Sequence, residues 1–128
     1  MDTISVTRDI EGKTGLITVR IDEIIYLGTD SRTAILLLHT LDSVYFTAGT
    51  LKYWTQVLNA SGYCFLLADR NNSINIRRIV EINKLLKVAY FEPESERNKA
   101  SKYSTMSKSG LKEVLLVITE LDSTVVFT

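Results

Sequence analysis

Apolar and polar residues exchange places with two different periods along this chain. GLITVR (15–20) alternates apolar and polar, which predicts a half-exposed strand, because successive side chains of a strand point to opposite faces. DEIIYLGT (22–29) is a denser apolar run, TAILLLHTL (33–41) follows a polar turn, and SVYFTAG (43–49) follows Leu41-Asp42. Together, 22–49 predicts a three-stranded meander. The period then changes. In TLKYWTQVLNASG, Leu51, Trp54, Val57 and Leu58 recur at helical spacing. Thr50 offers a hydroxyl to an unpaired first-turn N–H, and Gly62 stands as a stop. One short helix is therefore expected near 50–60, with Trp54 anchoring it to the core.

FLLADRNNSINI (65–76) places five polar residues, Asp69 to Ser73, between two apolar runs, and reads as a loop between strands. Ile79, Val80 and Ile82 predict a strand, Asn83-Lys84 a turn, and Leu86, Val88, Tyr90 and Phe91 a return that Pro93 ends. KYSTM is strand-like, and SKSG is a loop or a helix start. In the tail, Leu111, Val114, Leu115 and Ile118 fit a helix face, while the density of Val, Ile and Thr fits a hairpin. The preferred reading is a short helix from Leu111 and a final strand near Val125. The expected fold class is mainly β, a single domain over 1–128 with its core at 15–112 and 113–128 as a C-terminal extension.

Composition narrows the function. Lysine plus arginine and aspartate plus glutamate number 15 each, so the net charge is zero. The charge is nevertheless uneven. Residues 66–112 carry ten basic and five acidic side chains, and the remainder carries the opposite imbalance. A local positive patch attracts phosphate even on a neutral protein, because charges beyond roughly 8–10 Å are screened. No apolar run approaches the roughly 18 residues of a membrane span. The N-terminus lacks a basic, apolar leader, and the single Cys64 fits a reducing compartment. A cytoplasmic location is expected.

Nothing nominates an enzyme. The only histidine, His39, lies inside an apolar strand and reads as a structural residue. There is no Cys/His cluster for a metal, no glycine-rich phosphate loop and no Gly-x-Ser-x-Gly elbow. The acidic pairs Asp22-Glu23 and Glu94/Glu96 read as solvated turns. No cofactor and no catalytic residue is expected. Arg70-Asn71-Asn72 is more suggestive. Arginine matches guanine O6/N7 and asparagine matches adenine N6/N7, and both stand together between two strands. The bland alternative is a turn held by asparagine side chains.

The ordered set Ile24-Ile25-Tyr26-Leu27, Thr50-Leu51, Phe65 and Ile74-Asn75, followed by Ile79 to Phe91, resembles the LytTR family of bacterial DNA-binding domains. The resemblance spans about residues 15–112. It implies an elongated stack of small antiparallel sheets, and a regulator that reads double-stranded DNA with loop residues, often as a pair of protomers on repeated sites. Most members of that family follow a receiver domain; none is seen in these 128 residues, so a stand-alone domain is expected. A first reading loop would cover Asp30 to Ala34, with Arg32 as base reader and Ser31 and Thr33 as phosphate donors. Arg70 and Asn71 would form the second, and Ser107-Lys108-Ser109 the third, with the basic role on Lys108. Lys102, Lys99 and Arg97 would flank the DNA backbone. Arg77 and Arg78 read as neighbours in a strand, pointing to opposite faces, so at most one of them would face the same DNA. Asp69 stands where the family usually has histidine, Leu67 where it often has arginine, and Asn72 replaces an aromatic. These exchanges weaken phosphate attraction. They keep open a second function, a protein–protein module that has lost DNA contact.

Overall fold

The computed structural model describes residues 2–30, 32–121 and 123–128. The expected meander forms as β3 (Tyr26–Asp30), β4 (Ile35–His39) and β5 (Val44–Ala48), after a separate hairpin of β1 (Thr3–Val6) and β2 (Ile17–Arg20). Helix α1 follows (Leu51–Ala60), and the Thr50 side chain accepts from the Tyr53 N–H as predicted. β6 (Phe65–Leu67) and β7 (Asn72–Asn75) then close a five-stranded antiparallel sheet in the order β5-β4-β3-β7-β6.

A second sheet contains β8 (Glu81–Asn83), β9 (Val88–Tyr90), β10 (Tyr103–Thr105) and β11 (Val126–Phe127), in the order β10-β9-β8-β11. Helix α2 (Lys108–Leu121) connects β10 to β11. The helix reading of the tail is therefore the right one, and α2 starts three residues before the expected Leu111. β11 pairs with β8 in parallel, the single departure from antiparallel pairing among these strands. Residues 76–78 form a 3-10 turn instead of the start of a strand.

Two cores result. Ile24, Leu27, Leu36, Leu38 and Phe65 pack with Leu51 and Leu58 of α1. Ile25, Ile74, Ile76, Ile82 and Phe91 pack with Val114 and Ile118 of α2. Buried Asn75 joins them, its side-chain amide donating to the Ile24 carbonyl at 2.8 Å. Trp54 sits at the rim of the first core, half-buried, with its indole N–H on the Ala48 carbonyl.

The edge of β6 is blocked by a side chain. Asn59 of α1 donates to the Phe65 carbonyl and accepts from its N–H, at 2.7 and 2.6 Å, filling the place another strand would take. At the other end of β6, α2 presses on the chain. A methyl group on Gly110 would lie 1.8 Å from the Ala68 carbonyl oxygen. Gly110→Ala should therefore lower stability by about 1–3 kcal/mol, read as a shift of the urea unfolding midpoint.

Candidate nucleic-acid interface

β3 and β7 are antiparallel, with Gly28 opposite Asn72. The C-terminal end of β3 therefore lies beside the N-terminal end of β7. One further step sets the 30–34 turn level with the 68–71 turn. A methyl group on Gly28 would come within 3.7 Å of the Asn71 carbonyl. The start of α2 joins the same end. Ser107 donates its backbone N–H to the Ala68 carbonyl at 2.8 Å, and its hydroxyl to the same oxygen at 3.1 Å. Three segments far apart in sequence thus meet at one edge of the molecule.

Each segment is held by short polar side chains. In the first turn, Asp30 Oδ1 accepts from the Arg32 N–H at 2.9 Å, and the Thr33 N–H reaches the Asp30 carbonyl. In the second, Asp69 Oδ1 accepts from the Asn71 N–H at 2.8 Å. Both are turns in which an aspartate substitutes for a backbone carbonyl. Asp69 does more: its Oδ2 accepts from Asn72 Nδ2 at 3.2 Å and from the Thr105 hydroxyl at 2.9 Å. The carboxylate is directed into the fold and ties the second turn to β10. In the third, Ser107 Oγ accepts from the Gly110 N–H at 2.9 Å, which makes Ser107 the N-cap of α2. Lys108, in the stretch read as a loop or a helix start, is the first residue of the helix.

Arg32, Thr33, Arg70, Asn71 and Lys108 are all exposed at this end. No hydrogen bond or ion pair among the described residues engages the charged groups of Arg32, Arg70 or Lys108. Ser31 lies outside the described residues. The bracing roles of Asp30, Asp69, Asn72 and Thr105 were not anticipated. Asp followed two residues later by the braced N–H, in DSR and DRN, is the local signal for two of them.

Several other cations of the basic half are engaged by the fold itself. The Lys102 ammonium donates to the Ser43 carbonyl and lies 3.3 Å from His39 Nδ1. That position is at the Tyr26–His39 end of the sheet, about 13 Å along the strand from the turns. Arg97 pairs with nearly buried Glu81 at 3.3 Å and stacks on Tyr90. Arg77 and Arg78 donate to the Gly62 and Asp22 carbonyls. Leu67 is exposed beside the second turn.

His39 stacks on Tyr26, with ring centroids 4.3 Å apart. Burial, and secondarily the Lys102 ammonium, lowers its pKa to about 4. Burial also lowers the pKa of Lys102. The neutral ring accepts at Nδ1, so its own proton sits on Nε2. Among the described residues no three His, Cys, Asp or Glu side chains gather as a metal site, and no helix is long and apolar enough to cross a membrane.

Comparison with known proteins completes this picture. The profile described as "LytTr DNA-binding domain" matches residues 14–116. The chain belongs to the LytTr DNA-binding domain family. Its fold is similar to that of the LytTr DNA-binding domain of a Bacillus cereus protein described as a methyl-accepting/DNA response regulator. The TM-score is 0.64 at 13% identity, over 90% of this chain and 97% of that one. No curated protein matches. The mainly β architecture of several small sheets and two helices is thus a LytTr fold, and DNA-binding regulation in bacteria is the family's general role.

Two outcomes test these contacts within this LytTr domain. Asp69→Ala removes three hydrogen bonds at once. It should cost about 1–3 kcal/mol and speed amide hydrogen exchange at Asn71. His39 has a folded pKa below its unfolded value of 6.5, so the unfolded chain binds the extra proton. Its contribution is full above about pH 6.5 and is lost as pH falls toward 4, on the order of 2–3 kcal/mol. His39→Gln should flatten urea-measured stability between pH 6.5 and 4.

Proposed function

We propose that this LytTr domain is a sequence-specific transcription regulator that reads double-stranded DNA in the major groove with the residues of its two turns and the α2 N-terminus. The observation that carries this is the convergence of Arg32, Arg70, Asn71 and Lys108 on one braced end, where no partner among the described residues engages the charged groups of the two arginines and the lysine. Arg32 and Arg70 offer planar donor forks for guanine, and Asn71 offers an amide for adenine. Thr33 would donate to phosphate. Lys108 would hold a phosphate beside the N-terminal dipole of α2. The ordering cost of the turns is met in advance by Asp30 and Asp69, which favours recognition by preorganised side chains.

Lys102 enters this reading differently from its neighbours. Its ammonium is committed to Ser43 and His39, so its contribution to DNA is the weakest of the set. No catalysis and no cofactor is part of the proposal. One reading end covers only a short stretch of duplex, so useful discrimination calls for two protomers on repeated sites about one helical turn apart. The place of action is the cytoplasm.

A second reading is a protein–protein module. It draws on the exposed Leu67 and on the shallow groove along α2, lined by Leu111 and Leu115 between Lys108 and Lys112.

Gel shifts at two salt concentrations separate the two. Specific, steeply salt-dependent binding supports DNA reading, and no binding at low salt sinks it. Arg70→Ala or Asn71→Ala should reduce discrimination by roughly 1–3 kcal/mol at one base pair. Lys108→Ala should weaken all duplexes alike and reduce the salt slope by about one.

A further inference from the structure

The turn joining β8 to β9 (residues 84–87) carries the sequence KLLK, and its two leucines are the anomaly of this surface. Leu85 is 88% exposed and Leu86 61% exposed. Turn positions ordinarily carry Gly, Asn, Asp or Ser, and none of the described residues covers these side chains. The turn is not slack. Asn83 Oδ1 accepts from the Leu86 N–H at 2.9 Å, and the Lys87 carbonyl accepts from the Met106 N–H at 2.9 Å.

That last bond fixes where the leucines are. Met106 holds the 84–87 turn, and the next residue, Ser107, holds the 68–71 turn through Ala68. The two turns therefore straddle one dipeptide. Their anchoring carbonyls are separated by two hydrogen bonds and a single residue, on the order of 10 Å. The major groove is roughly 12 Å wide. A duplex seated on Arg70 and Asn71 would bring the apolar tip to the same groove or to its wall.

We propose that Leu85 and Leu86 form an apolar reading tip, which contacts thymine C5-methyl groups next to the bases addressed by Arg70 and Asn71. This rests on the DNA-reading function proposed above and deepens it. Three features favour DNA over another occupant. The tip is continuous with the braced end, Lys87 beside the leucines carries charge suited to a phosphate while the Lys84 ammonium rests over the Phe127 ring at 4.8 Å, and the apolar area of two side chains is far below that of a stable protein interface. The thymine methyl is the apolar feature a major groove presents.

The experiment begins with a duplex selected from a randomised pool by the wild-type chain. Thymines flanking the selected core are then replaced by deoxyuridine, which deletes only the methyl. Wild type should lose about fourfold in affinity per contacted methyl. L85S/L86S, whose changes lie on the surface and whose fold is checked by thermal melting, should bind less tightly and lose the dependence on the methyls. A selected site without flanking thymine, equal wild-type binding to both duplexes, or full methyl dependence in L85S/L86S overturns the inference while DNA reading stands. Loss of self-association in L85S/L86S, with DNA affinity unchanged, also overturns it and assigns the tip to a second copy. A wild-type chain that selects no sequence brings down DNA reading itself, and this inference with it.

Discussion

The carbonyl of Ala68 accepts from both the backbone and the hydroxyl of Ser107 while Gly110 closes over it. This contact joins the second turn to the first turn of α2, and only a residue without a side chain permits the approach. It couples two pieces of chain about forty residues apart, and the neighbouring Met106 extends it to the β8–β9 turn. Two hairpin tips and a helix start are consequently tied together at the exposed end of the molecule. A duplex can meet such an end without a helix lying in its groove.

Charge is used in two ways. The chain is neutral overall, and several of its cations maintain the fold: Arg97 against Glu81, Arg78 on Asp22, Arg77 on Gly62, Lys102 on Ser43. What remains at the braced end is a short set of charged groups that point outward. Asp69 illustrates the same economy in reverse. Read along the chain it is an acid beside a candidate phosphate site. In the fold its oxygens are occupied by Asn71, Asn72 and Thr105, so its charge is partly satisfied by donors and its role is to hold the turn.

The elements themselves were largely legible. Alternation marked β2, apolar runs parted by polar turns marked β3 to β5, helical spacing and Thr50 marked α1, and the asparagine-rich break between Phe65 and Ile76 marked a turn between two strands. Lone His39 is, as expected from its strand context, a packed residue, stacked on Tyr26. Less legible were the start of α2, where Ser107 acts as a cap that SKSG signals only weakly, and residues 76–78, whose apolar and basic pattern fits a strand but whose backbone turns.

Sequence alone determined the periods of the strands and helices, the turn chemistry of Asp30 and Asp69, and the presence of arginine and asparagine at a bend, because these depend on neighbours within a few residues. Tertiary structure alone decided that the 30–34, 68–71 and 84–87 turns share one end, that Lys102 and Arg97 face inward, and that Leu85 and Leu86 stand uncovered. Those outcomes depend on which carbonyl or carboxylate a distant strand brings within hydrogen-bonding reach. A local pattern of polar and apolar positions carries no record of that partner.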